Sequence, residues 1–187
     1  MIKDLHTLPA NLPVPVDDGS CDHLLGSTLP SVSLTSTTGI AVDLSAYSGT
    51  LVIYFYPMMA HPDSSPLIGW NDIPGARGCT PQTCAFRDSY SALMQLGVEV
   101  FGVSAQRLKD QQEVHARLQL PFVLLSDEQF ALAQALKLPT FEYEDTRLIK
   151  RLTIITTNGL IRKAFYPVFP PNNNAREVIT WLTAKQA

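Results

Sequence analysis

A chain of 187 residues, 45% hydrophobic and 17% charged, suits one globular domain around one core and is too apolar to be disordered. The formal net charge of −3 is spread along the chain, and the absence of a basic stripe argues against nucleic acid as a partner. No apolar run approaches the roughly 18 residues that cross a bilayer, and the opening M-I-K-D-L-H-T-L-P-A lacks a signal peptide's apolar core, so the expectation is a soluble, cytoplasmic protein acting on small molecules.

Residues 1–22 are proline-rich without periodicity and read as a peripheral arm, leaving 23–187 as the domain. Leu29–Leu44 alternates weakly around Thr38-Gly39, a hairpin signal. Leu51–Tyr56 is aromatic and β-branched, ends at Pro57, and reads as a buried central strand. Residues 58–78 break the pattern with Pro62, Pro66, Pro74 and three glycines, so they read as an inserted loop. Its Trp70 is expected to plug that loop; with Leu67 and Ile68 it could instead cover the active site or form a partner patch.

Pro81–Leu96 reads as a helix with Thr80 as N-cap and Gly97 at C′. Val98–Ser104 is a second strand, Leu108–Leu118 a second helix, Phe122–Leu125 a third strand and Glu128–Leu136 a short helix. Leu152–Thr156 and Ile161–Phe165 flank Asn158-Gly159 as a hairpin, and Ala175–Lys185 closes the chain as a helix. This succession is an α/β layout with a mixed central β-sheet flanked by helices. Cys79 then falls where a strand's C-terminal end returns through a loop into a helix, the usual place for an α/β active site.

Three cysteines are too few for a disulfide-built scaffold, and a close pair such as Cys79 and Cys84 suggests catalysis, redox chemistry or metal binding. Cys79 sits at the start of the expected helix, where amides without intrahelical partners and the helix dipole favour a thiolate. Cys84 lies five residues on, which on an intact helix means a rise of about 7.5 Å and a turn of about 140°. A disulfide needs Cα atoms within about 7 Å and converging side chains, so joining the two requires local unwinding. Three alternatives stay open here. Either cysteine can be a small buried hydrophobe; His6, His23, His61 and His115 are scattered without zinc-ligand spacing; and a hydrolase would draw on His61 as base.

The run G-C-T-P-Q-T-C-A-F-R-D (Gly78 to Asp88) resembles the active-site helix of peroxiredoxins, specifically the peroxiredoxin Q or bacterioferritin-comigratory-protein branch. The likeness extends to L-G-S-T-L-P-S-V-S-L from Leu25, L-V-I-Y-F-Y-P from Leu51, R-L-T-I-I-T-T-N-G-L-I from Arg151 and the final F-P-P-N-N-N-A-R-E-V-I-T-W-L. It implies a thioredoxin-like fold with the inserted loop ahead of the active-site helix. By position Cys79 would be the peroxidatic cysteine, Cys84 the resolving one and Arg151 the arginine that stabilises the thiolate, with Lys150 the neighbour most easily confused with it. The implied activity is reduction of hydrogen peroxide or alkyl hydroperoxides through a Cys79 sulfenic acid and a Cys79–Cys84 disulfide, reset by thioredoxin or glutaredoxin. The branch favours a monomer, with a dimer as the alternative, and implies no metal or organic cofactor.

Two departures qualify this. Ala76 and Asp72 stand where the pattern P-x-x-x-T/S-x-x-C has its hydroxyl and its proline, and about fifteen residues are inserted between Pro57 and Cys79. Ser64 or Ser65 could restore the hydroxyl, backbone amides could suffice, or activity could be reduced. The alternative reading is therefore a non-catalytic or regulatory redoxin that binds partners through the loop 58–78. Cys21 is expected to be a spare thiol in a flexible arm, with resolution or a link between chains as its other options.

Overall fold

The computed structural model describes residues 5–64 and 67–186. Among these residues nine strands, β1 (Ser33–Ser36), β2 (Ala41–Asp43), β3 (Thr50–Phe55), β4 (Val98–Ser104), β5 (Leu124–Ser126), β6 (Thr140–Tyr143), β7 (Thr146–Ile149), β8 (Leu152–Thr157) and β9 (Leu160–Phe165), alternate with five α-helices. The helices are α1 (Cys79–Asp88), α2 (Tyr90–Gln95), α3 (Leu108–Arg117), α4 (Ala131–Ala135) and α5 (Asn174–Gln186).

Seven strands form one sheet in the order β2-β1-β5-β4-β3-β8-β9. The β3–β4 and β4–β5 pairs are parallel, while β1 and β8 run antiparallel to their neighbours β5 and β3. This is the mixed sheet of a thioredoxin-like fold. The continuous apolar run of β3 follows from helices covering both faces. Leu51, Ile53 and Phe55 enter one cluster with Val103, Leu125 and Ile154, whereas Val52, Tyr54 and Tyr56 enter another with Phe86, Leu93 and Val178.

Tyr54 carries α1. Its ring stacks on Phe86 at 4.6 Å between centroids, and its hydroxyl donates to Thr83 Oγ1 at 3.2 Å. Gly102 of β4 makes room for that ring, because a Cβ there would come within 2.6 Å of the Tyr54 hydroxyl.

The Asn158-Gly159 hairpin forms with both residues at positive φ, 50° and 75°, as a two-residue turn of this hand requires. The single helix expected over Pro81–Leu96 is instead two, α1 and α2, broken at Ser89, and α1 begins at Cys79. Its N-cap is Gly78 rather than Thr80, with φ at +110°. A Cβ at Gly78 would lie 2.3 Å from Pro171 Cγ, so glycine lets the helix start press against the turn that precedes α5.

Two segments show more order than the sequence suggests. The hairpin β6–β7 packs outside the main sheet and pairs Phe141 with Leu148. Against it lies the insertion, where Trp70 is 5% exposed and meets Tyr143 edge-on at 5.0 Å. Trp70, Ala76 and Leu148 form a separate small core, joined by Met58, Leu67, Ile73 and Phe141. Trp70 thus plugs its loop, but it does so against a second segment of the chain.

The described part of the arm lies against the domain. Leu5 is 4% exposed, and Asp18 pairs with Lys150 at 2.9 Å. Cys21 corrects the expectation of a spare thiol in a flexible arm: it is 5% exposed and sits in the core with Leu24 and Ile161.

Candidate active site

Cys79 occupies the first position of α1 and is 4% exposed. The first intrahelical bond in its vicinity runs from Gln82 N to Gly78 O at 3.0 Å, so the amides of Cys79 and Thr80 precede the helical ladder and face outward from the helix start. The helix dipole adds positive potential at that point.

Arg151 reaches the same sulfur. Its Nη2 donates to Cys79 Sγ at 3.2 Å and to Ala76 O at 3.0 Å. Its Nε donates to Gly75 O at 3.2 Å, Nη2 also reaches Arg77 O at 3.3 Å, and Nη1 donates to Gln82 Oε1. The guanidinium is 3% exposed, and among the described residues it forms no ion pair with a carboxylate. Three consecutive carbonyls at the end of the insertion therefore orient a buried cation, and the sulfur is the partner able to take up a full negative charge.

Lys150 points away from this site. Its Nζ donates to Asp18 Oδ2 at 2.9 Å and to the Tyr166 hydroxyl at 3.4 Å; hydrogen bonds from Ser20, and next this one from Lys150, hold the Asp18 carboxyl well below the usual range. Adjacent positions where β7 leads into β8 thus send one cation to the arm and the other to the cysteine.

Gln82 was not singled out in the sequence and completes the site. Its amide accepts from Arg151 and donates through Nε2 to Asn174 Oδ1 at 3.0 Å, and Thr153 Oγ1 donates to the same oxygen at 2.6 Å. All three of these side chains are fully buried. The one available signal was spacing: Gln82 follows Cys79 by three residues, hence on the same helix face.

Cys84 is 9% exposed on α1, and burial raises its thiol, with Asp88 adding to the rise and Arg87 and Arg117 opposing it. Its Sγ lies 3.8 Å from His6 Nδ1 in the arm. The cysteines are all free, and α1 is continuous from Cys79 to Asp88, so the pair cannot join without unwinding the helix start.

A cavity of about 420 Å³ opens over Cys79. Leu5, Thr7 and Leu8 of the arm, Met58, Met59, Leu67 and Trp70 of the insertion, and Thr80 of α1 contribute to its wall. Ser64 does not restore the missing hydroxyl: it is exposed and its Oγ donates to His61 O at 2.7 Å. Ser65 lies outside the described residues. The hydroxyls that do line the cavity belong to Thr7 and Thr80. The Ala76 carbonyl accepts from the Cys79 thiol at 3.7 Å, while the Ala76 methyl packs in the Trp70 core. His61 faces Asp63 and Glu113, each at 3.6 Å, and does not line the cavity, so a hydrolase would lack its base.

A buried cysteine at a helix start, gripped by an arginine from the connection that leads into β8, defines a thiol-based redoxin. The chain belongs to the redoxin family, whose model matches residues 24–179, and within it to the peroxiredoxin Q and bacterioferritin-comigratory-protein kind. A chloroplastic peroxiredoxin Q of Oryza sativa is 32% identical over 155 residues, covering 82% of this chain and 64% of the rice protein, so the chain spans somewhat less than two thirds of that relative's length. Peroxiredoxin Bcp of Bacillus subtilis is 35% identical over 116 residues, 59% of this chain and 62% of the other. In fold, the chain is similar to peroxidoxin BcpB of Mycobacterium tuberculosis, with a TM-score of 0.69 at 22% identity over 87% of this chain and 98% of that one. The bacterioferritin comigratory protein of Xanthomonas campestris, studied for alkyl peroxide reduction, gives 0.67 at 23% identity over 95% and 100% of the two chains.

Proposed function

We propose that this protein is a thiol-dependent peroxidase acting on hydrogen peroxide or alkyl hydroperoxides. The observation that carries the reading is the 3.2 Å contact from Arg151 Nη2 to Cys79 Sγ at the floor of the cavity. The Cys79 thiolate attacks the terminal peroxide oxygen, the O–O bond breaks, and the product is Cys79 sulfenic acid plus an alkoxide or hydroxide that leaves protonated as alcohol or water. Arg151 and the helix-start amides stabilise the charge that shifts onto the departing oxygen. Cys84 then displaces hydroxide from the Cys79 sulfur, after the first turns of α1 unwind, and a disulfide forms.

An external dithiol of the thioredoxin or glutaredoxin type returns both cysteines to thiols by exchange. The thiols supply the electrons, so the cycle requires no metal or organic cofactor. We place the protein in a reducing, cytoplasmic setting as a monomer, with an N-terminal arm of residues 1–22 ahead of the 23–187 domain. Cell fractionation tests the setting, since several relatives are chloroplastic proteins, and sedimentation tests the monomer.

Stopped-flow mixing of the reduced protein with one equivalent of hydrogen peroxide, followed by intact mass, tests the whole cycle. The expected result is fast loss of two thiols and a mass lower by about two daltons, for the two hydrogens a disulfide releases, lost in Cys79→Ser and Cys84→Ser. A reaction no faster than that of a free thiol would favour a regulatory redoxin that uses the loop 58–78 for partner binding.

A further inference from the structure

The resolving step asks Cys84 to be a nucleophile in a place that opposes its ionisation. The side chain is 9% exposed, and burial raises the thiol's pKa, with Asp88 adding to the rise. Arg87 and Arg117 lower it, but both are guanidinium cations, held by Asp88 and Glu113 at 2.8 and 2.6 Å, and a guanidinium cannot accept a proton. A thiol in this position needs a base brought to it.

The arm brings one. Leu5 is buried in the wall of the cavity, the carbonyl of Thr7 accepts from Arg77 Nη2 at 3.2 Å, and Leu8 packs against the Gly78 turn. Between these anchors stands His6, with Nδ1 3.8 Å from Cys84 Sγ, within hydrogen-bonding range for sulfur. When Nε2 carries the ring proton, Nδ1 is an acceptor aimed at the thiol. The family match begins at residue 24, so this contact lies outside the matched residues.

We propose that His6 is the general base of the resolving step. This rests on Cys84 being the resolving cysteine. His6 Nδ1 takes the Cys84 proton, and the resulting sulfur anion attacks Cys79 Sγ of the sulfenic acid. The S–O bond breaks as the S–S bond forms; Cys84 sulfur is oxidised and Cys79 sulfur reduced. The departing hydroxide takes a proton from imidazolium and leaves as water, so His6 ends neutral. An anion at Cys84 is poorly solvated where the thiol sits, which drives the side chain out and couples deprotonation to the unwinding that the disulfide demands.

The test separates the two chemical steps. Reduced protein is mixed with hydrogen peroxide, quenched at intervals with an alkylating reagent, and read by intact mass for sulfenic acid and disulfide. Wild type is measured first: absence of the Cys79–Cys84 disulfide would overturn the resolving role of Cys84, and this inference with it. Given that disulfide, His6→Ala is expected to leave the peroxide-dependent first step unchanged and to slow disulfide formation by about a hundredfold, the lower end of what a positioned base contributes. Added imidazole is expected to restore the second step in His6→Ala in proportion to its concentration, and to leave wild type unchanged. Disulfide formation in His6→Ala within threefold of wild type would overturn the inference. So would a slowed step that imidazole does not restore, because that is the mark of a purely structural histidine.

Discussion

Gln82 and Arg151, 69 residues apart in the chain, meet inside it, with Arg151 Nη1 donating to Gln82 Oε1 and the Gln82 amide continuing to Asn174 at 3.0 Å. The arginine that touches the reactive sulfur is thereby fixed to α1 and α5 at once. Replacing Gln82 with Leu keeps the volume but removes the acceptor from a buried guanidinium and the donor from Asn174. A buried polar group left unpaired costs about 1–3 kcal/mol, and urea unfolding is expected to show a loss of that order. The second-order rate with peroxide is expected to fall as well, since Arg151 loses one of its guides. An unchanged rate in a correctly folded Gln82→Leu protein would show that the carbonyls of residues 75–77 suffice to aim the guanidinium.

Arg151→Lys preserves the charge but not the fork. A single ammonium cannot reach Gly75 O, Ala76 O, Gln82 Oε1 and Cys79 Sγ together, as the guanidinium does. Loss of one charge-assisted bond to the sulfur is worth about 1.5–3 kcal/mol, or roughly ten- to a hundredfold in the peroxide step. Stopped-flow rates on the lysine variant check this. Lys150→Met is the matched control: its partners are Asp18 and Tyr166, and the rate is expected to stay within about twofold, as for a partly exposed pair remote from the reaction.

How far these relationships could be read from sequence depends on their range. The strand Thr50–Phe55 was legible because both of its faces are buried, and the Asn158-Gly159 hairpin because its turn needs residues that accept positive φ. The β6–β7 hairpin was missed. It turns on Glu144 and Asp145, at φ 46° and 59°, without the glycine that usually marks such a turn. The helix break at Ser89 carries no proline or glycine either. The cysteine motif is local and therefore visible. What surrounds the sulfur is tertiary: the Gly75–Arg77 carbonyls, Gln82 and the arm come together only in the folded chain. Leu5, Thr7, Leu8 and Pro9 have no periodicity to announce that they line a cavity, because neighbouring segments place them there and not a repeat of their own.

Cys21 offers a thiol that should stay silent. Burial pushes it up to about 12, with Asp18, Asp17 and Asp22 adding to the effect. Between the ordinary thiol value near 9 and about 12, the folded chain keeps this proton while the unfolded chain loses it, so stability is complete below about pH 9 and declines as pH rises toward 12. Cys21→Ala is expected to flatten that decline, as followed by chemical denaturation at a series of alkaline pH values. In native protein near neutrality, Cys21 is expected to resist alkylation and to form no dimer on non-reducing electrophoresis after peroxide treatment. A Cys21-dependent dimer would contradict its burial.

Ala76 stands where the motif resemblance would put a hydroxyl, which makes Ala76→Thr an inviting repair. The geometry predicts that it fails. The Ala76 methyl is fully buried in the core of Trp70 and Leu148, while its carbonyl is what meets Cys79 and Arg151. A threonine adds a hydroxyl and shape to a filled site, at a cost of about 1–3 kcal/mol, without delivering that hydroxyl to the sulfur. Thermal unfolding is expected to move down and the peroxide rate not to rise. A rate gain of tenfold or more would mean that the hydroxyl does reach the reacting atoms.

Trp70→Ala tests whether the insertion supports the chemistry from a distance. The indole meets Tyr143 at 5.0 Å and Phe141 at 6.1 Å, and its cluster includes Ala76, the middle of the three residues whose carbonyls hold Arg151. Truncating a buried large aromatic costs about 3–5 kcal/mol. Here much of that loss should fall on the packing of the insertion against β6–β7, because the main sheet has its own two clusters. Protease cleavage within 58–78 is therefore expected to accelerate before global unfolding sets in. The peroxide step is expected to slow with it, since a loosened Ala76 no longer holds the guanidinium against Cys79. Comparison with Tyr143→Ala, which loosens the same contact from the hairpin side, makes the test specific. Slower peroxide reaction in both variants places the insertion in support of the arginine, whereas faster cleavage with an unchanged rate in both would confine Trp70 to holding its own loop.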